Sequence, residues 1–375
     1  MPPPSHDFLQ LCLRAHCTPN ARDLLAPFVQ RTDLDWQEVL ALTAAQRLGP
    51  VVYAVMRDTG LVPAAVQGVL RDSYYATAQR NLLRWHDLAA VLRALAAAGI
   101  RVMLLKGVPL AETAYRNIAL RPMADVDLLI DHAQLRKVIE ILGGLGYVPP
   151  TIEMRAGTIA TYENEIPLCN SGGAELDIHW GLFDSPLHQH AVSMEWFWQT
   201  ARPLHIDDVP ALMLGPEAML LHLCGHVWLH HAGTPLLWLH DVALTLAVER
   251  RVDWEELLHR AALYHLVMPT QRVLCRIADE WAVPLPPDVL LRLRTLQPAS
   301  EETRTVRLLT AAQRPAAQRL WADLRGMPGW RRRLRFASIL LFPSPRYMRA
   351  RYRIRHALLL PLYYAHRWIR GIRGA

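Results

Sequence analysis

Leu104-Leu105-Lys106-Gly107, continued by Arg121-Pro122-Met123-Ala124-Asp125-Val126-Asp127-Leu128-Leu129-Ile130, is the stretch on which the fold turns. Side chains on a strand alternate with period two, so Asp125 and Asp127 project from one face. Their neighbours Val126, Leu128 and Ile130 are apolar and suit a buried sheet. Two carboxylates side by side on a core strand repel each other unless a cation lies between them. Magnesium takes carboxylate oxygens and keeps positions for water and phosphates. Lys106 and Arg121 add the positive charge that a polyphosphate needs. Residues 101–105 read as a strand, Lys106-Gly107 as a tight turn and residues 108–115 as a helix. Gly107 lets a backbone N–H come close to a phosphate, and the helix start favours an anion. An isolated Asp-x-Asp is commonly a strand end turning into solvent, with Asp131 extending the polar edge. Strand, Lys-Gly, helix, Arg and Asp-x-Asp in one short unit is more specific.

With Glu175-Leu176-Asp177-Ile178-His179-Trp180 added, the chain resembles the nucleotidyltransferase superfamily related to DNA polymerase β. More narrowly, it is similar to a bacterial family of uncharacterised nucleotidyltransferases with three motifs. These are matched by Leu105-Lys106-Gly107, by Arg121 to Leu129, and by Glu175 to Trp180. The similarity runs from the helical region before Lys106 to Phe342-Pro343-Ser344. Lys106-Gly107 replaces the superfamily's usual Gly-Ser, so the serine that touches a phosphate is missing. The resemblance implies transfer of a nucleoside monophosphate from a nucleoside triphosphate to a hydroxyl acceptor, with pyrophosphate released. It implies Mg2+ or Mn2+ held by Asp125, Asp127 and a third carboxylate.

Two-metal phosphoryl transfer asks for that third carboxylate near the acceptor hydroxyl. Along residues 174–180, Glu175, Asp177 and His179 face one way and Leu176, Ile178 and Trp180 the other. Asp177 is assigned as metal ligand and general base, with Glu175, on the same face, as the alternative. His179 orients Asp177, contacts a phosphate, or is a structural histidine beside Trp180. Lys106 and Arg121 would neutralise charge on the leaving group. Lys106 and Lys137 are the only lysines against 39 arginines. A compact ammonium suits close phosphate contact better than a guanidinium fork.

At 375 residues, with 52% hydrophobic and 20% charged, the chain can hold two or three modules and is not disordered over long stretches. Its start shows no basic and apolar leader, and Cys12, Cys17, Cys169, Cys224 and Cys275 form no Cys-x-x-Cys pair. A reducing cytoplasm is the expected location, with the inner membrane surface as a peripheral option. The fold expected is α+β: a small mixed sheet core, residues 99–214, between helical regions 1–98 and 215–325. Leu88, Val91, Leu92 and Leu95 mark an amphipathic helix covering the first strand, and Gly99 ends it. Asp131 reads as an N-cap, and Gly143-Gly144-Leu145-Gly146 closes the helix that follows.

His222, His226 and His230 fall at helical spacing on one face, a geometry known from zinc sites. No His-Glu-x-x-His accompanies them, so metalloprotease chemistry lacks its base. A place lining the cleft suits them better. The family resemblance carries over His226, Trp238 and Asp241 as nucleotide-site residues; their structural alternative is a core tryptophan and an acid tied to a helix end.

Residues 326–375 hold twelve arginines and no acid. The whole chain carries +7, so the rest carries −5. The apolar runs between these arginines are too short to span a bilayer, and Pro343 and Pro361 interrupt helices. This tail fits an anionic membrane surface, or packs on the acidic body; RNA is disfavoured because no RNA-binding module surrounds it. Two functions follow: a magnesium-dependent nucleotidyltransferase, with ATP as the default donor, or a silent module that keeps the fold for binding. The sequence does not distinguish a sugar, a peptide, a protein or another small molecule as acceptor.

Overall fold

Short apolar runs punctuated by turn residues form six strands in one mixed sheet, in the computed structural model of the chain. They are β1 Met103–Leu104, β2 Val126–Leu129, β3 Glu165–Cys169, β4 Glu175–His179, β5 Arg202–Ile206 and β6 Val209–Met213, in the order β3-β4-β2-β1-β6-β5. The structure describes residues 3–31, 33–231, 233, 235–249, 251–310, 324, 327 and 329–373. The proposed division between 325 and 326 lies outside them.

The central strands β1 and β2 are buried throughout, as strands covered on both sides must be. β4, between β3 and β2, alternates over its first residues, with Leu176 and Ile178 in the core and Glu175 exposed. β1 runs antiparallel to β2 and parallel to β6, and β2 runs parallel to β4. In that last pairing Asp127 faces Asp177 and Leu129 faces His179. β1 is shorter than the apolar run that encodes it. Lys106 takes φ 50°, a left-handed value that ends the strand at the turn into the next helix.

Five helices frame the sheet near this register: α1 Ala64–Ala97, α2 Gly107–Thr113, α3 Leu135–Gly144, α4 Pro216–Gly225 and α5 Leu236–Val248. Leu88, Val91, Leu92 and Leu95 form the buried stripe of α1. The Asp131 carboxylate accepts from the Ala133 amide and caps the turn leading into α3, and Gly146 at φ 86° closes that helix's far end. Buried apolar residues from Phe8 to Val306 make one continuous core, so the helices before and after the sheet share it. The architecture is α+β.

Beyond that core, helices Trp330–Leu341, Pro345–Tyr352 and Leu360–Arg373 follow. Met327 and Ile339 pack with Tyr162 as a separate small cluster, joined by Phe336. Arg155 donates to the carbonyls of Ser338 and Phe342, and Arg332 to that of Thr161, fixing the first of these helices to the body. Pro361 sits in the first turn of its helix, where no amide hydrogen is missed. Among the described residues no helix is long and apolar enough to cross a membrane.

Candidate active site

The loop between α2 and β2 is held by one face of α1. Asn81 donates to the carbonyls of Ile118 and Arg121, and Arg84 donates to the carbonyl of Ala124 at 3.0 Å. Trp85 Nε1 reaches Glu112 Oε1 at 2.6 Å. Asn81 and Arg84, three residues apart on α1, thus hold the loop that leads to Asp125, while Trp85 ties α1 to α2.

Parallel pairing then sets the acids. Asp127 on β2 and Asp177 on β4 lie directly opposite each other, and His179 stands two residues further along β4. Asp127, Asp177 and His179 each offer a ligand atom within 4.8 Å of the others, a compact group suited to a metal ion. Asp125 precedes the strand and stays half-buried outside that group, although its charge acts on Asp177. The expected trio of Asp125, Asp127 and Asp177 therefore has His179 nearer its centre than Asp125. Glu175, the alternative third carboxylate, is exposed at the start of β4.

His179 bridges two acids. Its Nε2 lies 2.9 Å from Asp127 Oδ1 and its Nδ1 3.1 Å from Glu165 Oε2 on β3. A carboxylate on the far ring nitrogen is the arrangement that orients metal-ligating histidines and fixes their tautomer. Glu165 was not singled out in the sequence. The antiparallel register that brings it opposite His179 is the only signal for it.

Lys106 ends up on the acid. Its Nζ lies 2.6 Å from the same Asp127 Oδ1. Burial favours neutralising both partners, but the ammonium and the imidazole outweigh it and hold the Asp127 carboxyl well below the usual carboxylate range. Lys106 is raised in turn, its own burial being overcome by Asp127. Asp177 goes the other way. Partial burial and then repulsion from Asp127, Asp125 and Glu165 push it up to about 6. Gly107 has a packing reason: a Cβ there would meet Met123 Sδ at 2.5 Å.

Arg121 and Asp241 are brought together, 120 residues apart in the chain. Arg121 Nε donates to Oδ1 at 2.8 Å and Nη2 to Oδ2 at 2.7 Å, a bidentate pair with both side chains buried. Tyr115 donates to the same carboxylate at 2.8 Å, and Arg121 Nη1 reaches the Pro122 carbonyl. The phosphate-directed charge expected of Arg121 is thus engaged by Asp241.

Three other arginines face this region. Arg80 and Arg84 are one turn apart on α1, and Arg47 follows helix Trp36–Ala45. Arg47 is depressed by burial first and then by Arg121 and Arg80; Arg84 by burial and then by Arg80, while Asp125 opposes both shifts. Mutually repelling guanidinium groups beside an acid cluster are what a polyphosphate would relieve. Their one sequence signal is the four-residue spacing of Arg80 and Arg84.

On the other side, α4 runs into a π-helical turn, His226–His230. His222, His226 and His230 stack along it with ring centroids 6.3 and 5.2 Å apart. His222 is buried and both its ring nitrogens lack a hydrogen-bond partner. Burial, then the Lys106 charge, keeps His222 and His226 neutral. Trp238 on α5 stacks on His231 at 3.5 Å and meets His226 edge-on at 5.6 Å. The aromatic wall is assembled, but among the described residues only Asp127, Asp177 and His179 are compact enough to hold a metal.

A family model described as "Uncharacterised nucleotidyltransferase" matches residues 32–282, a span holding every residue of this site. No curated protein matches the chain.

Proposed function

Since the chain belongs to that uncharacterised nucleotidyltransferase family, we propose that it transfers a nucleoside monophosphate from a triphosphate, ATP by default, to a hydroxyl acceptor and releases pyrophosphate. The observation that carries this reading is the register that sets Asp127 against Asp177, with His179 beside both. The two carboxylates suit Mg2+ or Mn2+, and the imidazole nitrogen favours Mn2+ of the two. The repulsion that lifts Asp177 is what a divalent ion would remove. When bound, such an ion lowers the pKa of the attacking hydroxyl and balances phosphate charge. Asp177, the half-buried member of the trio, would take the proton from that hydroxyl. Asp125 completes the acidic edge next to the Ala124 carbonyl that Arg84 fixes. Arg47, Arg80 and Arg84 supply the phosphate charge that Arg121 gives to Asp241. With a cation held at Asp127, the Lys106 ammonium, now paired with that carboxylate, would be free to contact the leaving phosphates. His226 and Trp238 form the wall for the base.

Incubation with α-labelled triphosphates and Mg2+ or Mn2+, across sugar, peptide and protein hydroxyl acceptors, tests this. Label transferred by the wild type and not by Asp177→Asn is the expected result; equal background in both sinks the assignment. The same variant has a second signature. A raised carboxyl means that the folded state binds its proton more tightly than the unfolded chain does. That stabilisation is present below about pH 4 and lost as pH rises through about 6. At pH 7 with chelator present, Asp177→Asn should therefore be more stable by about 1 kcal/mol, allowing for solvent screening at a half-exposed group. Millimolar Mn2+ should erase the difference by stabilising only the wild type.

One observation favours a second reading, a silent binding module: the Lys106 ammonium already neutralises Asp127. Lys106→Met separates the two. For an enzyme, removing the competing cation tightens Mn2+ binding several-fold in calorimetry, while transfer falls about 100-fold through loss of a phosphate contact. For a silent module, the wild type shows no Mn2+ binding at the acids at all.

A further inference from the structure

We propose that the outer face of the C-terminal helices docks on an anionic lipid surface. In helix Trp330–Leu341, Trp330, Leu334 and Leu341 recur at four and seven residues, so they share one face. They are 66%, 61% and 49% exposed, whereas Ile339 on the opposite side is buried against the body. In helix Leu360–Arg373, Leu362 and Ile369 stand seven residues apart and are again exposed, with Leu358 just before the helix 91% exposed. The two helices meet where the stripes end, at Leu341 and at Trp368 beside Ile369. Trp368 Nε1 donates to the Leu341 carbonyl at 2.8 Å, its ring meets Phe342 edge-on at 5.3 Å, and Tyr364 donates to the Pro343 carbonyl.

Charge selects the occupant. Arg331, Arg335 and Arg370 are exposed on the same two helices, and no acid occurs between residues 326 and 375. Among the described residues, Arg331, Arg335, Arg346 and Arg370 form no ion pair with a carboxylate of the body. A protein partner would have to offer acids and an apolar groove together. A phospholipid leaflet offers both by construction, with phosphates above hydrocarbon. Tryptophan beside arginine is the composition that settles at this boundary. The body, with the opposite net charge, stays in water.

The inference does not depend on the transfer chemistry, because it is read by binding alone. Full-length protein is floated with vesicles of phosphatidylcholine alone or with 30% phosphatidylglycerol, at low and at physiological salt. Binding to the anionic vesicles, at least tenfold weaker on neutral ones and weakened by salt, is expected. Leu334→Glu with Leu362→Glu, both on exposed positions, should reduce that binding at least tenfold while leaving the thermal unfolding temperature unchanged. Absence of anionic-vesicle binding by the wild type overturns the proposal, as does equal binding by the double variant. Single-stranded RNA that binds more tightly than the vesicles, and that the double variant binds equally well, assigns the arginines to nucleic acid and also overturns it.

Discussion

Replacing Asp127 with asparagine should lower nucleotidyl transfer about 1,000-fold, the loss expected when a buried charge that organises a phosphoryl-transfer site is removed. The same change costs stability. Asp127 Oδ1 receives both the Lys106 ammonium and His179 Nε2, and the side chain is almost fully buried. An asparagine keeps the shape but leaves Lys106 as an uncompensated cation, a penalty of about 3 kcal/mol. The depressed carboxyl gives the sign with pH. Its stabilisation is complete above the unfolded carboxylate range and is lost only as pH falls through the much lower folded value. Wild type and variant should therefore differ in urea unfolding at pH 7 and converge in strong acid. Single-turnover transfer at saturating nucleotide separates the chemical loss from the folding loss. Undiminished transfer by the variant would remove Asp127 from the chemistry.

Arg121 and Asp241 should give the largest effects on stability alone. Arg121→Met leaves Asp241 buried with only the Tyr115 hydroxyl as donor, and Asp241→Leu leaves a buried guanidinium without its acid. Each single change is expected to cost 3–5 kcal/mol, as breaking one side of a buried pair does, at about that scale in general. The double variant should recover at least half of the loss, because two apolar side chains need no counter-charge. Urea denaturation of the four proteins measures this directly. If instead Arg121→Met unfolds normally and raises the apparent KM for the triphosphate, Arg121 contacts phosphate and the pair with Asp241 is secondary.

The parts legible from sequence were those governed by local period. The two-residue alternation around Asp127 and Asp177 placed both acids on strands, and their parallel register then followed from the sheet. The same alternation put His179 on their side. Long-range choices were not legible. A motif arginine looks like a phosphate ligand when only its neighbours are visible; its partner Asp241 lies on a helix two-thirds of the way along the chain. The neighbours of Lys106 in sequence point it toward a phosphate, whereas the buried carboxylate that pairs with its ammonium, Asp127, comes from the next strand. The histidines at 222, 226 and 230 were correctly placed on one face. The π-turn that carries two of them has no signature in spacing, since helical period alone does not announce an extra residue in a turn.

The β1 pairings set a timetable for making this protein. Met103 must wait for Leu212 before its strand has a neighbour on that side, and Arg121 has no counter-ion until Asp241 has been synthesised. A nascent chain leaving the ribosome therefore displays its acids and its guanidinium to solvent well before the segments that cover them emerge. A premature stop after the hairpin β5–β6 would leave Arg121 without Asp241, its buried guanidinium uncompensated.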